Sequence, residues 1–254
     1  MFIDTHCHLT HDNYENVENI ILKLSPNIII VNGIDKKTSM DAIELAKKYK
    51  NVYAAIGIHP EEVDHFSNED IEYIENNIKL PEVVAIGEIG LDYYWRKDNK
   101  EEQKVLFKRQ IELALKYKKA LIIHSRDAIE DTYTILSEYN TKYNSLKIVL
   151  HCYGSSVEMA KKFLNMNVMF GIGGVLTFKN EKKLKEVVNQ ISLNKLLLET
   201  DSPYLSPEPF RGKINIPNNI PIIANKIAEI KNIDVEEVLE ITTKNAIEQF
   251  DLDV

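Results

Sequence analysis

Two histidines separated by one residue follow the first apolar segment of the chain, in Asp4-Thr5-His6-Cys7-His8. If this segment is a strand, alternate side chains point to the same side, so His6 and His8 can converge on one ion while Cys7 points away. A purely structural role would require two imidazoles aimed at the same place without a ligand. The pair therefore predicts one part of a metal site.

Other residues able to bind metal recur where later apolar segments end: Glu88, His124, His151 and Asp201. Taken singly, His124 or His151 could as well be a hydrogen-bonded residue at the end of a strand. Together with the first pair they form a set of histidines and carboxylates, which suits hard to borderline divalent ions. A carboxylate such as Glu88 can bridge two such ions.

The elements that must position these side chains are short apolar runs, many of them β-branched, which alternate with longer amphipathic stretches. This alternation is expected of repeated strand-helix units. Predicted strands cover residues 2–4, 28–31, 52–58, 83–86, 121–124, 148–151, 168–171 and 195–199. Predicted helices between them include residues 39–49, 101–118, 156–164 and 181–190.

About eight such units suit an α/β fold of the (β/α)8 TIM-barrel type, which typically needs about 250 residues. The 254-residue chain is therefore predicted to form a single barrel domain over residues 1–254. In such a barrel the C-terminal ends of all strands open onto one face, where residues that are distant in sequence meet.

The tail and the first strand also bear on the choice of fold. The pattern of residues 216–250 predicts two extra C-terminal helices. Pro217 and Pro221 lie near the start of the first helix, and Asp234 is the predicted N-cap of the second. The alternative fold, an open doubly wound sheet, would usually carry a glycine-rich turn after its first strand. Thr5-His6-Cys7-His8 stands there instead, which favours the barrel.

Composition and charge limit the class of protein. With 44% apolar and 28% charged residues, the chain can bury a core and remain in solution. Its net charge of −8 argues against sequence-independent coating of DNA but allows a local basic patch. The start lacks the pattern of a secretory signal, no apolar run could span a bilayer, and Cys7 and Cys152 each adjoin a histidine. We therefore expect a cytoplasmic protein without membrane contact.

Seven segments, spread from end to end, resemble the TatD family of metal-dependent deoxyribonucleases, within the amidohydrolase-like barrels. They are Asp4-Thr5-His6-Cys7-His8, Gly57-Ile58-His59-Pro60, Gly87-Glu88-Ile89-Gly90-Leu91-Asp92-Tyr93, His124-Ser125-Arg126, Gly173-Gly174-Val175-Leu176-Thr177-Phe178, Glu199-Thr200-Asp201-Ser202-Pro203-Tyr204 and Arg211-Gly212-Lys213. The resemblance implies a TIM-type barrel with six metal ligands: His6, His8, Glu88, His124, His151 and Asp201. It also implies cleavage of DNA phosphodiester bonds, often as an exonuclease, with Mg²⁺ as the usual ion and Zn²⁺ or Mn²⁺ as alternatives.

Such a reaction needs an activated water and relief of charge on the phosphate, which two ions about 3.5 to 4 Å apart can supply. We predict that Glu88 bridges two divalent ions in each subunit, between two groups of ligands: His6, His8 and Asp201 on one side, and His124 and His151 on the other. Asp201 is also suited to orient or deprotonate the attacking water, so Asp201 and Glu88 are the predicted catalytic residues. Glu199 should share the face of Asp201, where it could instead orient a ligand.

Further residues predict contacts with a phosphate backbone. His59 resembles the family's phosphate-contacting histidine, which places it beside the substrate and outside the set of ion ligands. Arg126 and Arg211 follow predicted strand ends and could form a basic rim despite the acidic net charge. Lys179 and Lys213 occupy similar positions, although a lysine in a loop needs no special explanation.

An aromatic run, Tyr93-Tyr94-Trp95, follows Glu88 closely. Such rings can stack on an unpaired base or pack beneath a loop against the barrel, and Tyr93 is the predicted base contact. The predicted partner is therefore DNA with single-stranded or frayed ends, and no obligate protein partner is indicated. His11 and His65 lie in polar, helix-like surroundings typical of surface or capping residues.

Two other classes of protein share parts of this pattern. A small-molecule amidohydrolase acting on a lactone or cyclic amide would use the same binuclear barrel. Many such sites are bridged by a carboxylated lysine, whereas the fourth predicted strand offers Glu88 and no nearby lysine. A non-catalytic metal-binding or scaffolding barrel would need no complete set of ligands, so the completeness of the set favours an enzyme.

Overall fold

The computed structural model of the protein describes residues 1–10 and 12–254, so that His11 lies outside the described residues. The strands are β1 Ile3–Cys7, β2 Ile28–Asn32, β3 Val52–Ile56, β4 Val83–Asp92, β5 Ala120–Arg126, β6 Ile148–Leu150, β7 Val168–Ile172 and β8 Leu196–Leu198. The helices are α1 Val17–Leu24, α2 Lys36–Lys48, α3 Asn68–Asn77, α4 Lys100–Tyr117, α5 Ile129–Tyr143, α6 Val157–Phe163, α7 Lys183–Gln190, α8 Ile220–Lys231 and α9 Val235–Phe250. None of the helices in the described ranges is long and apolar enough to cross a membrane.

Neighbouring strands pair in parallel in sequence order from β1 to β8. The two ends of this sheet meet through the segment that follows β8: the Asp201 amide donates to the His6 carbonyl at 2.9 Å, and the His8 amide donates to the Ser202 carbonyl at 2.7 Å. The structure is therefore a nearly closed eight-stranded barrel surrounded by helices, and the predicted fold is confirmed.

The strands are buried on both faces, which explains why they read as continuous apolar runs. In β2, Ile29 and Val31 belong to the large core between the strands and the helices. Ile28 and Ile30 belong to a second core, to which every strand contributes and which fills the barrel interior. Alternate residues of one strand thus serve two different apolar layers.

The helix α9 closes the barrel at the amino-terminal ends of its strands. Phe250 and Leu252 join the interior core there. The Asn245 amide donates to the carbonyls of Leu193 and Leu196 at 2.9 and 2.8 Å, and the Gln249 amide donates to the Ile148 carbonyl at 3.1 Å. Of the two tail helices predicted, α8 completes the eighth strand-helix unit and α9 is the added one. The opposite end of the barrel is left to hold a site.

Asp234 precedes α9 as predicted, but its side chain makes no capping hydrogen bond. The starts of α2 and α6 do follow the capping rule. Asp35 accepts from the Thr38 amide at 2.7 Å at the start of α2, and Ser156 accepts from the Met159 amide at 3.2 Å at the start of α6. The start of α9 therefore depends on packing of the helix against the barrel.

Strands β4 and β5 extend well beyond their predicted ends, and Gly90 permits this. Gly90 pairs with His124 in the register of the two strands, and Asp92 pairs with Arg126. Gly90 has a φ of 141°, and a Cβ there would lie 2.0 Å from the carbonyl oxygen of His124. Only glycine tolerates this combination, so the close approach of β4 to β5 depends on it.

Gly90→Ala should lower the free energy of unfolding by about 2 kcal/mol or more, because it combines a strained φ with a backbone clash. Gly154→Ala is the matched control, since its Cβ would meet only the Cys152 carbonyl at 3.8 Å, and we expect a change below about 1 kcal/mol. Urea unfolding of the chelator-treated proteins measures both. Equal stability of the two variants would contradict the tight approach at Gly90.

Candidate metal centre

The side chains predicted to bind metal meet at the carboxyl ends of the strands, around Glu88 of β4. Glu88 Oε2 lies 3.2 Å from His6 Nε2 and 3.3 Å from His8 Nε2. Its other oxygen, Oε1, lies 2.9 Å from His124 Nδ1 and 2.8 Å from His151 Nε2. Each oxygen of one buried carboxylate thus faces its own pair of imidazoles.

Asp201 completes the group next to the first pair of histidines. Its Oδ1 lies 3.7 Å from His6 Nε2 and 3.6 Å from His8 Nε2. The Asp201 side chain is 14% exposed, against 5% for that of Glu88. Asp201 is therefore the carboxylate of the cluster that water and a substrate can reach more readily.

Two of the imidazoles are oriented by hydrogen bonds on their far nitrogens. His8 Nδ1 lies 3.0 Å from the Asn32 carbonyl oxygen, which can only accept, so this nitrogen donates. His124 Nε2 donates in the same way to Asp92 Oδ2 at 2.8 Å. With an ion present, the nitrogen facing Glu88 in each ring is then free to bind it through its lone pair, as is usual for histidine ligands.

Burial and neighbouring charges shift the pKa values of the clustered side chains in different directions. Burial and the neighbouring His151 lower the pKa of His6 to about 4. Burial opposes charge on His8, but its hydrogen bonds to Asp201 and Glu88 outweigh burial and raise its pKa to about 10. Burial likewise opposes charge on Glu88, yet the imidazoles of His151 and His6 hold its pKa well below the usual range.

The residues present fit divalent metal ions. In each of two pairs of rings, one nitrogen of each ring faces the other: His6 Nε2 lies 3.0 Å from His8 Nε2, and His124 Nδ1 lies 3.2 Å from His151 Nε2. A proton or a cation has to lie between the two nitrogens of each pair. There are three groups of residues in which the candidate ligand atoms all lie within 4.8 Å of one another. They are His6, Glu88 and His151; His6, His8 and Asp201; and His59, Glu88 and His124. Imidazole and carboxylate ligands of this kind suit Zn²⁺, Mn²⁺ or Mg²⁺.

Two buried carboxylates brace the strands that carry these ligands. Asp4 accepts from the amide and hydroxyl of Thr200 at 2.9 and 2.6 Å and from the His6 amide at 3.2 Å, and burial raises its pKa to about 7. Glu199 accepts from the Cys152 amide, and burial raises its pKa to about 8. Glu199 Oε1 lies 3.9 Å from His151 Nδ1, so it holds the turn after β6 without a hydrogen bond to that imidazole.

Sequence reasoning assigned no role to Asp92, Asn32 or Asp4. For Asp92 a signal was present: Glu88, Gly90 and Asp92 alternate, so a longer β4 would have placed Asp92 on the face of Glu88. The contact from Asn32 uses its backbone carbonyl, which any residue carries. No side-chain pattern could have indicated it.

The structure places His59 nearer to the cluster than predicted. His59 Nε2 lies 3.5 Å from Glu88 Oε1, and its ring centre lies 4.5 Å from that of His124. The ring is buried, and burial lowers its pKa. His59 is thus positioned both to contact a substrate and to approach an ion beside Glu88.

The predicted basic rim consists of two arginines packed on aromatic rings. The Arg126 guanidinium lies 3.8 Å from the ring centre of Tyr94 and 5.4 Å from that of Trp95. The Arg211 guanidinium lies 4.3 Å from the ring centre of Phe178. Both arginines are exposed: Arg126 is the last residue of β5, and Arg211 follows β8. Lys179, Lys213 and His65 are also exposed side chains.

Tyr93 does not lie where its predicted stacking role requires. Tyr93 is buried in the core between the strands and the helices, and its hydroxyl donates to Asp131 Oδ2 at 2.8 Å. Lys100 Nζ lies over its ring, 4.3 Å from the ring centre. With only 5% of its surface exposed, Tyr93 is not accessible to a base. Its neighbours Tyr94 and Trp95 are the exposed members of the run, with 50% and 63% of their surface accessible.

A parallel β/α barrel that gathers histidines and carboxylates at the carboxyl ends of its strands has the architecture of the metal-dependent barrel hydrolases. A family model described as TatD related DNase matches residues 3–251. The chain belongs to this family and is a metal-dependent hydrolase of the TatD type.

Three similar proteins illustrate the relationship. YabD of Bacillus subtilis strain 168, named an uncharacterized metal-dependent hydrolase, is 42% identical over 97% of this chain and 97% of its own length. The crystal structure of YjjV, a TatD homolog from Escherichia coli K12, is 28% identical with a TM-score of 0.91, covering 99% of this chain and 98% of that one. A TatD family hydrolase from Entamoeba histolytica is 27% identical with a TM-score of 0.83, covering 98% and 97%.

Proposed function

We propose that this protein hydrolyses phosphodiester bonds of DNA from a strand end, as an exodeoxyribonuclease that uses two divalent ions. The observation that carries the proposal is the position of Glu88, whose two oxygens face separate pairs of imidazoles at 2.8 to 3.3 Å. A carboxylate in that position is suited to bridge two ions. The exposed arginines near this cluster suit a phosphate backbone.

When bound, divalent ions would neutralise charge on the phosphate and lower the pKa of water, with Mg²⁺ as the ion we expect and Zn²⁺ or Mn²⁺ as alternatives. His6, His8, His124 and His151 would hold them through nitrogens already aimed at Glu88. Asp201, the more exposed carboxylate, is suited to orient a water and accept its proton. The imidazole of His59 can contact a phosphate oxygen at the edge of the cluster.

The substrate we propose is single-stranded DNA or a frayed end. Trp95 is the more exposed of the two rings, and Arg126 lies over Tyr94 beside it, so an unpaired base can stack on Trp95 while the guanidinium contacts a phosphate. Stacking of this kind contributes about 1–3 kcal/mol per base. Both cysteines are free, which is compatible with the cytoplasmic location that we include in the proposal.

The test is to strip the protein of metal, add back Mg²⁺, Mn²⁺ or Zn²⁺, and incubate it with end-labelled single- and double-stranded DNA beside a panel of lactones and cyclic amides. We expect progressive shortening of DNA from one end, faster for single strands, only with metal. Turnover of the small molecules without cleavage of DNA would replace the nuclease by an amidohydrolase. Internal cuts without shortening from an end would remove the exonuclease part of the proposal.

Replacing Arg126 and Arg211 together with Ala should weaken binding of a short single-stranded oligonucleotide by about tenfold at low salt. The dependence of log affinity on log salt should fall by about 0.7 for each phosphate that the variant no longer neutralises. Fluorescence anisotropy with metal-stripped protein measures binding without cleavage. Arg109→Ala is the control, because Arg109 lies on α4 and donates to Asn68 Oδ1 at 2.7 Å. Equal binding by both variants would exclude a role for the rim.

A further inference from the structure

Asp92 is a buried carboxylate that touches both the candidate metal centre and the exposed aromatic pair. Its Oδ2 lies 2.8 Å from His124 Nε2. Its Oδ1 accepts from the backbone amide of Tyr94 at 2.8 Å and from that of Trp95 at 3.4 Å. Asp92 itself is 1% exposed, so neither oxygen is free to exchange these partners for bulk water. One side chain therefore connects a candidate ion ligand to the start of a surface loop.

The main chain of Asp92 is held in place from α4. Gln103 accepts from the Asp92 amide at 2.8 Å and donates to the Asp92 carbonyl at 2.9 Å. The same Gln103 amide group donates to Asn99 Oδ1 at 2.9 Å, at the far end of the loop. Because the backbone is fixed, a movement of the carboxylate toward one partner changes its distance to the other.

We propose that Asp92 is a positioning residue that couples ion binding at His124 to the conformation of the Tyr94-Trp95 loop. This inference rests on the proposed function only in taking His124 as an ion ligand. If His124 held an ion, the ring N–H facing Asp92 would become a stronger donor to that carboxylate. The carboxylate would shift toward His124, and its other oxygen would reposition the amides of Tyr94 and Trp95.

The coupling has to act in both directions. If an ion changes the loop, then a nucleotide base stacked on the loop must change the affinity for the ion by the same factor. Couplings between sites of this kind are typically about 5 to 150-fold. Ion and strand end would therefore change each other's affinity by an equal factor at this centre.

The arrangement requires an aspartate, because both oxygens act as acceptors. Asparagine offers a single oxygen and two N–H donors. If its oxygen faces His124, its amide group faces the backbone N–H of Tyr94, which is also a donor. If its oxygen faces Tyr94, its amide group faces His124 Nε2 and favours the tautomer that places a proton on Nδ1, where the ion would bind. Asp92→Asn therefore breaks one contact in either orientation.

The test uses the fluorescence of Trp95, which is the only tryptophan of the chain. Metal-stripped protein is titrated with Zn²⁺, and calorimetry reports binding of the ion while tryptophan emission reports the loop. In the wild type we expect emission to change with the same midpoint as the calorimetric signal. In Asp92→Asn we expect affinity to fall by about 10 to 100-fold and the emission change to be lost even at saturating Zn²⁺.

Asp98→Asn is the matched control, since Asp98 lies in the same loop but pairs with Arg96 at the surface. It should behave as the wild type in both signals. Zn²⁺ binding by the wild type without any change in emission would overturn the coupling, and so would a full emission change in Asp92→Asn. A wild type that shows the coupled signals but does not cut DNA would refute the proposed function alone. Absence of Zn²⁺ binding would refute the coupling, while the proposed function is decided by the DNA cleavage assay with Mg²⁺, Mn²⁺ and Zn²⁺.

Discussion

Replacing Glu88 with Gln is expected to remove the affinity of the protein for divalent ions and to lower the proposed activity on DNA by about 1,000-fold or more. Glu88 supplies the negative charge between two pairs of imidazoles. Each of its oxygens lies within 3.3 Å of one nitrogen from each imidazole of the pair that it faces. Glutamine keeps the size but is neutral and presents an N–H group to one pair. A bound ion contributes several kcal/mol to stabilisation of the transition state, and the loss of this contribution accounts for the expected decrease in rate.

The measurement combines initial rates with thermal unfolding at saturating Mn²⁺ or Zn²⁺. Ligands that bind only the folded state raise the melting temperature, so the wild type should gain stability on adding metal and Glu88→Gln should not. Glu130→Gln, on the exposed face of α5, is the control for the same chemical change. A Glu88→Gln protein that retains metal stabilisation would show that the ions bind elsewhere.

Asp201→Asn is expected to lower the turnover rate by about 10² to 10⁴-fold, the usual contribution of a positioned general base. The backbone of Asp201 has a φ of 55°, and asparagine adopts this left-handed conformation readily. The substitution therefore keeps the local structure and an oxygen ligand while it removes the charge. Binding of intact oligonucleotide should persist, which separates an enzyme from a scaffold.

Asp127→Asn provides the comparison, because Asp127 also has a positive φ, of 53°, and is exposed after β5. It should retain wild-type turnover. Rates are measured at saturating metal, so that any weakened ion binding does not contribute. A variant of Asp201 that keeps more than about a tenth of the rate would exclude its role as the base.

The gathering of the six residues in one place could be anticipated from the sequence because each comes at or just after a predicted strand. His6, Glu88 and Asp201 lie far apart along the chain, and a parallel barrel brings the ends of its strands to one face. Apolar periodicity predicted the eight strands and several of the helices between them. About eight such units, together with the absence of a glycine-rich turn after the first strand, favoured the barrel.

The details that were missed depend on tertiary contacts. The prediction ended β4 at Ile86, because glycines and polar residues interrupt the apolar run there, whereas pairing of Gly90 with His124 carries the strand on to Asp92. That extension also buries Tyr93 and turns Tyr94 outward. A difference of a few residues in strand length thus decided which ring of the aromatic run meets solvent.

Because α9 closes the amino-terminal end of the barrel, the metal centre is accessible from the opposite, carboxyl-terminal end. Val254 is exposed and follows closely on Leu252, which is anchored at the sealed end away from the metal centre. A bead, a dye or a fused partner attached after Val254 would therefore lie at the end of the barrel opposite to the metal centre. Protein immobilised in this way should turn the metal centre away from the support and toward the solution.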